Sequence, residues 1–344
     1  MHRIDDPTAS PTLPAPRPAG TPGYFTGGSP GSSGFAATVV RYEFMNAVQE
    51  ELSAVVEASG VTLDKTNNGQ LLAALRKMLR FKLTQDEYLY ISPTGSDTND
   101  GLTPATAFRT GQAAWDFALT VDLNNHSLIL QFADGTYTDP INCFGTPLGI
   151  GGASGIVIQG NTVTPASVIF STTNISCVSA SAGANLMVRG VSLAATGVPG
   201  SYQNMGAGLQ ATTGGSIQFG SVIFQRCDFA HIAANGSGVV QSNGNPYQIA
   251  AGGGRHMVAG LGGYVANANS AVSLTGNPAF SACFADAESH GIIVTYGAAY
   301  SGAATGRRYL AGTGGMVHTN GAGVNFLPGD AAGTADAATF GLYL

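Results

Sequence analysis

The chain has 344 residues, of which 49 are Gly, 10% are charged and 44% are apolar, and it carries a net charge of −6. So little charge beside so much apolar surface excludes a disordered chain, and glycine without a G-X-Y period excludes a collagen-type triple helix. Three Lys (Lys65, Lys77, Lys82), one adjacent Arg pair (Arg307-Arg308) and the acidic balance speak against a nucleic-acid partner.

Residues 1–37 form an arm too rich in Pro and Gly for helix or core. Pro7, Pro11, Pro14, Pro16, Pro18, Pro22 and Pro30 are interleaved with Gly, Ser and Thr, a composition that favours polyproline-II or coil. The arm is read as a docking segment for something outside the chain. It lacks a basic region followed by an apolar run, and no later stretch approaches the ~18 apolar residues of a membrane span. The expectation is a soluble chain made in a cytoplasm, released by assembly and lysis, with no membrane insertion.

Residues 38–84 predict two helices. Met45, Val48, Leu52, Val55 and Val56 recur at three- and four-residue steps before Gly60. Asn67-Asn68 then offer N-caps to a second helix striped by Leu72, Leu75, Leu79 and Leu83, with Arg76, Lys77 and Arg80 around the stripe. Two such short helices cannot bury their stripes alone; they need each other or copies from other chains. From Tyr88 the texture is β: a strand at 88–91, a polar loop at 92–110, a short helix at 111–120 and a strand at 128–132.

Three segments share an apolar strand closed by Gly: Val157-Ile158-Gln159-Gly160, Met187-Val188-Arg189-Gly190 and Ile217-Gln218-Phe219-Gly220, with glycines 30 and 30 residues apart. Ser273-Leu274-Thr275-Gly276 looks like a later copy. A fixed period in this range marks a solenoid or propeller. Short strands with Gly, Asn and Ser turns select the parallel β-helix. The expected fold is mainly β: a right-handed parallel β-helix over 85–305, preceded by the helical segment and the arm, and followed by a closing module over 306–344. Beyond residue 141 there are only five acids and five Arg. That suggests an outer surface covered by other copies, as in a homotrimer of side-by-side rods.

Cys143, Cys177, Cys227 and Cys283 lie far apart with no metal-type spacing. They are read as buried thiols, with a disulfide between neighbouring rungs left open. No cofactor is expected.

Three stretches resemble bacteriophage tail fibre and tailspike proteins. Ala37–Val40, Phe44–Leu52 and Asn68–Leu75 look like the helical segment behind the virion-attachment arm of such proteins. Tyr90–Asp97 with Asn99–Phe108 is similar to the opening of pectate-lyase-like β-helix domains. Gly306–Tyr309 through Asn325–Gly329 resembles a closing module of such fibres. The resemblance implies a virion protein, docked to the tail or baseplate through residues 1–84, that presents a trimeric β-helix to a host cell-surface polysaccharide.

Such a body can also be a polysaccharide depolymerase, which requires paired carboxylates or a base with His, Tyr or Arg. The candidates are Asp286, Glu288 and His290, whose alternate spacing puts them on one face of a strand. A solvated strand face or surface turn explains the same residues, and so few acids favour attachment over catalysis. Asp228 with His231 and Arg226 is a second candidate. Asp97, Asn99, Asp100 and Gly101 invite a calcium loop, but Gly is misplaced and position 108 is Phe, so a turn is the better account. Tyr202, Tyr247, Tyr264, Tyr296 and Tyr300 offer faces to sugar rings or to packing between copies.

Overall fold

The computed structural model describes residues 2–18, 20–29, 34–78, 80–197 and 206–344. The chain divides into two compact units, Met1–Phe81 and Lys82–Leu344.

In the first unit, α1 spans Tyr42–Ala58 and α2 spans Gln70–Met78. Gly60, at φ +77°, turns the chain after α1 in the left-handed region that glycine tolerates. Ahead of α2, the Asn67 side chain accepts the Gly69 amide at 2.8 Å, as Asn side chains do in tight turns. The leucine stripe is shorter than its spacing suggests. Because α2 stops at Met78, Leu83 is not on it; Leu83 is buried in the second unit, its amide bonded to the Asp122 carbonyl at 2.9 Å. Leu79 and the side chains of Arg76 and Lys77 lie outside the described residues. The two helices bury Val56 and Ala74, yet Met45, Val48, Leu72 and Leu75 stay 54%, 39%, 55% and 38% exposed. Among the described residues much of each apolar stripe is left uncovered.

The second unit is built of all-parallel β ladders, which the chain visits in turn. Among the described residues the first ladder has ten strands paired in chain order, from Glu87–Ile91, Leu128–Phe132 and Ile156–Gln159 to Met316–His318 and Leu342–Tyr343. From Leu128–Phe132 to Met316–His318 the chain makes strands of two other ladders between consecutive strands of this one. The second ladder runs from Gly135–Tyr137 through Val168–Thr173 and Ser192–Thr196 to Ala299–Ser301. The third runs from Ile141–Phe144 through Val178–Ser181 and Ala207–Ala211 to Phe280–Ala287, Tyr309–Ala311 and Thr334–Ala335. The thirteen-residue strand Ile223–Asn235 belongs to both, with a shift of register between Cys227 and Ala230 where it bends from one to the other.

Like residues stack because parallel pairing repeats the inward face on every rung, about 4.8 Å apart. Leu186, Ile217, Val240, Val265, Ile293 and Val317 form one buried column on the first ladder. Ala180, Ala211, Ala234, Ala259, Ala287 and Ala311 form another on the third. These alanines set up a turn that recurs on each rung between the third and first ladders. Two residues of positive φ (Thr213-Gly214, Leu261-Gly262, Ser289-His290, Thr313-Gly314) are followed by Gly215, Gly263, Gly291 or Gly315. The pair of left-handed residues gives the mirror-image tight turn, closed here by bonds such as Gly263 N to Gly260 O at 2.9 Å. The closing glycine is needed for a different reason. A Cβ on Gly215, Gly263, Gly291 or Gly315 would sit 2.0–2.2 Å from the carbonyl oxygen of Ala180, Ala234, Ala259 or Ala287 on the rung before.

The 30-residue spacing holds only for the early rungs. Met187 lies opposite Val157, 30 residues back, but Gly220 lies opposite Arg189 rather than Gly190, and Val239 lies opposite Ser216, only 23 back. Ser273-Leu274 is not a later copy of the same strand: it belongs to the second ladder, opposite Gln248-Ile249. The segment 306–344 adds rungs to the first and third ladders. The loop at 92–110 folds on itself, and Thr110 caps α3, Gly111–Ala118, by accepting the Ala113 amide.

Candidate functional site

Beyond residue 141, charge gathers on one of the three ladders. Of the ten charged residues beyond 141, Arg189 lies on the first ladder, where its Nε bonds Gln159 at 2.6 Å. Arg226, Asp228, Arg255, Asp286 and Glu288 lie along the third ladder or the bend that leads into it. Arg307, Arg308, Asp330 and Asp336 follow in its last turns.

Asp286 stands between the inward residues Ala285 and Ala287, in register with Val258 and Leu310. Its side chain is buried. The Arg255 guanidinium donates to its Oδ2 and lies 5.4 Å over the Phe229 ring, while its Oδ1 meets no donor. Glu288 follows on the exposed side. The negative charge of Asp286, burial and a hydrogen bond shared with Asp286 hold its carboxyl above the usual carboxylate range. A carboxylate this close makes ionisation of Glu288 costlier, which sets it apart from an ordinary surface acid.

His290 does not complete the alternation. The strand ends at Ala287, Ser289 and His290 both take positive φ, and the His290 ring lies beside Gly314 on the next rung. The structure thus brings Asp286 and Glu288 together, adds Arg255 and Phe229, and turns His290 into the recurring turn. What this arrangement offers is an exposed carboxyl group, held above the usual carboxylate range, next to a fixed Arg–Asp pair.

The second candidate separates. Asp228 accepts the Gly197 amide at 2.7 Å and the Arg226 Nε at 2.6 Å, which hold its carboxyl below the usual range and tie down a turn. His231 is fully buried: its Nδ1 lies 3.0 Å from His256 Nδ1, and the His256 Nε2 lies 2.8 Å from the Tyr247 hydroxyl. Phe224, Phe280 and Phe284 surround the two rings. Burial pushes His231 down to about 4 and His256 well below the ordinary imidazole range.

Tyr247 is buried and Tyr300 half-buried, with its hydroxyl bonded to Thr295 at 2.6 Å and to Asn267 at 3.0 Å, and both contribute to the lining of a surface depression. Tyr264 and Tyr296 are partly exposed, Tyr296 beside His318. Tyr202 lies outside the described residues. The loop oxygens once open to calcium are used internally. Asp97 accepts the Arg109 and Thr110 amides at 2.9 Å each, and Asp100 accepts Leu102 N and Thr106 Oγ1. All four cysteines are buried free thiols; burial raises Cys177 to about 11 and Cys283 to about 12.

Two surface depressions flank this region. One, of about 460 Å³, has no charged lining; it is bounded by Pro165 and Pro246 and carries Ile223, Gln248, Ser273 and Ser301 in register along the second ladder. The other, of about 540 Å³, runs over Gly252 and Gly253 between Arg226, Asp228 and Ser281. The outer face of the later rungs of the first ladder is the opposite in character. Tyr264, Ile292, Met316 and Leu342 follow in register beside Ala266 and Val294, with no charged residue among them.

No family model matches the chain, and no solved structure matches it. A stretch of 79 residues, 23% of this chain, is 46% identical to an uncharacterized protein of Escherichia coli (strain K12) named StfP. The match takes in 35% of StfP, so the chain spans about a third of the length of the relative it matches.

Proposed function

We propose that this chain is a fibre or spike component of a phage-type tail, in which the three ladders wind as a right-handed parallel β-helix. The observation that carries this reading is the cyclic order of the strands, first to second to third ladder and back, with every pairing parallel. Parallel crossovers are right-handed in nearly all sheets. Winding in that sense would leave few edges and produce a stiff rod, the mechanical requirement of a fibre.

Residues 1–84 form the docking end, toward the tail or baseplate, and their exposed stripe of Met45, Val48, Leu72 and Leu75 is covered by other chains. Three copies associate through the outer face of the later rungs of the first ladder, which carries no Asp, Glu, Lys or Arg. That arrangement covers Tyr264, Ile292, Met316 and Leu342 and leaves the charged third ladder facing outward, as a cyclic assembly that buries one identical patch per copy would. The depressions on the second and third ladders then meet a host-surface glycan. The protein resides in the virion after synthesis in the host cytoplasm.

The test is binding of the purified protein to whole host cells, blocked by soluble surface polysaccharide. Loss of binding on Ser273→Trp or Ser301→Trp, with the fold retained by circular dichroism, supports attachment; binding to cells stripped of polysaccharide contradicts it. A second reading, a polysaccharide depolymerase, draws on Glu288, whose carboxyl is held above the usual range, as a general acid. Shortening of that polysaccharide by the wild type but not by Glu288→Gln would favour it.

A further inference from the structure

We propose that residues 2–17 form an ionic latch on α1 that keeps the arm folded back until its ion pairs are exchanged for those of a partner. The functional meaning rests on the reading of residues 1–84 as the docking end; the latch itself rests on contacts within the first unit. Glu43, Glu50 and Glu57 recur every seven residues, which places them along one side of α1. The arm's two arginines cover all three. Arg3 donates to Glu50 at 2.8 and 2.9 Å and to Glu57 at 2.8 and 3.0 Å, so that one guanidinium bridges two turns of helix. Arg17 Nε lies 3.0 Å from Glu43 Oε1, with its guanidinium 5.7 Å over the Tyr42 ring. Lys65 pairs with Asp5 at 2.6 Å, and the Ile4 amide bonds Gln49 at 2.7 Å.

Apolar packing contributes little to this hold. A cavity of about 480 Å³ remains between the arm and α1, lined by Ile4, Pro11, Pro14, Tyr42 and Asn46 among others. The arm is held mainly by exposed charged pairs, which are individually weak and screened by salt. Prolines at 7, 11, 14 and 16 narrow the arm's conformations, so that latching and unlatching order few residues. Beyond the latch, the Phe25 ring meets Phe44 at 5.0 Å, an apolar contact that salt does not screen and that serves as the hinge. A partner that takes the arm must therefore offer carboxylates to Arg3 and Arg17 in place of those of α1.

The test is a nitroxide label on Ala9→Cys in the full chain, where the four native thiols are buried and do not compete. The spectrum should be immobilised near 0.01 M salt and mobile at 1 M, where the screening length falls from about 30 to 3 Å. Glu50→Lys with Glu57→Lys should free the label at low salt, and adding Arg3→Glu should immobilise it again. A label that is mobile in the wild type at low salt, that stays immobilised at 1 M, or that is not re-immobilised by the third change overturns the latch. Those outcomes would leave the docking reading standing, since that reading is judged separately by incorporation into particles.

Discussion

Replacing Gly263 by Ala should cost more than replacing Gly262 by Ala, although the two are neighbours in one turn. Gly262 has φ +73° and nothing within 4 Å of where its Cβ would stand. Its methyl meets only the left-handed backbone penalty, about 1–2 kcal/mol. A Cβ on Gly263 would stand 2.0 Å from the Ala234 oxygen, 2.3 Å from its carbon and 2.8 Å from the Asn235 nitrogen. All three are main-chain atoms of the rung before, so no rotamer relieves the contact and the rungs must separate locally. Overpacking commonly costs about 1–3 kcal/mol, and a backbone obstacle puts Gly263→Ala at about 3 kcal/mol or above. Long chains often unfold irreversibly, so the assay is the unfolding rate in denaturant. Hydrogen exchange at Tyr264 and Ile292, whose amides bond Gly238 O and Gly263 O at 2.9 Å, adds a local measure. Equal effects of the two substitutions would refute the argument that rung spacing, rather than backbone φ, selects the closing glycine.

Three further outcomes follow from the same structure. Glu288 has a raised folded-state pKa, so its contribution to stability is fully present below its unfolded pKa and is lost as pH rises through the folded value. Glu288→Gln removes the charge that Asp286 repels and should match the wild type near pH 4 but melt higher at pH 7; a lower melting temperature at both pH values would contradict that repulsion. His231 has a depressed pKa, from 6.5 to about 4, so stability is full above about 6.5 and falls as the pH drops toward 4, by about 3 kcal/mol for a shift of this size. His231→Phe should flatten that acid limb, which thermal melts at pH 7 and pH 4.5 would register. Tyr264→Lys with Ile292→Lys should abolish self-association at micromolar concentration while leaving far-ultraviolet circular dichroism unchanged; an intact oligomer would place the interface elsewhere.

Much of the architecture was legible because parallel rungs write the same pattern repeatedly. Val157-Ile158, Met187-Val188 and Ile217-Gln218 do lie side by side in one parallel sheet, as their common texture implied. The period was harder to follow. Rungs shrink after Gly220, and the steadier signal, Ala followed four residues later by Gly (Ala211/Gly215, Ala234/Gly238, Ala259/Gly263, Ala287/Gly291, Ala311/Gly315), joins two small residues whose meaning appears only when the carbonyl of one rung is seen against the α-carbon of the next. Leu83 illustrates the limit of periodicity: it fits the helical step but is drawn into the β core.

The candidate site was legible only in part. Asp286 and Glu288 were visible as a pair of acids, but alternation could not foretell that the strand stops at Ala287 and that two left-handed residues carry His290 away. Arg255 and Phe229 were invisible in the sequence because Arg255 reaches Asp286 from the rung before, 31 residues away, and Phe229 lies under the Arg255 guanidinium rather than against Asp286. The spacing of Asp228 and His231 gave no sign that one faces solvent and the other the aromatic interior, since the register shift between Cys227 and Ala230 lies beside them.

An electron cryomicroscopy map of the purified full-length protein tests the central claim most directly. The account predicts three copies around one axis, each wound as a right-handed coil with rungs about 4.8 Å apart and with the Tyr264, Ile292 and Met316 face turned inward. Single chains at micromolar concentration, or ladders that do not wind around a common interior, would contradict it.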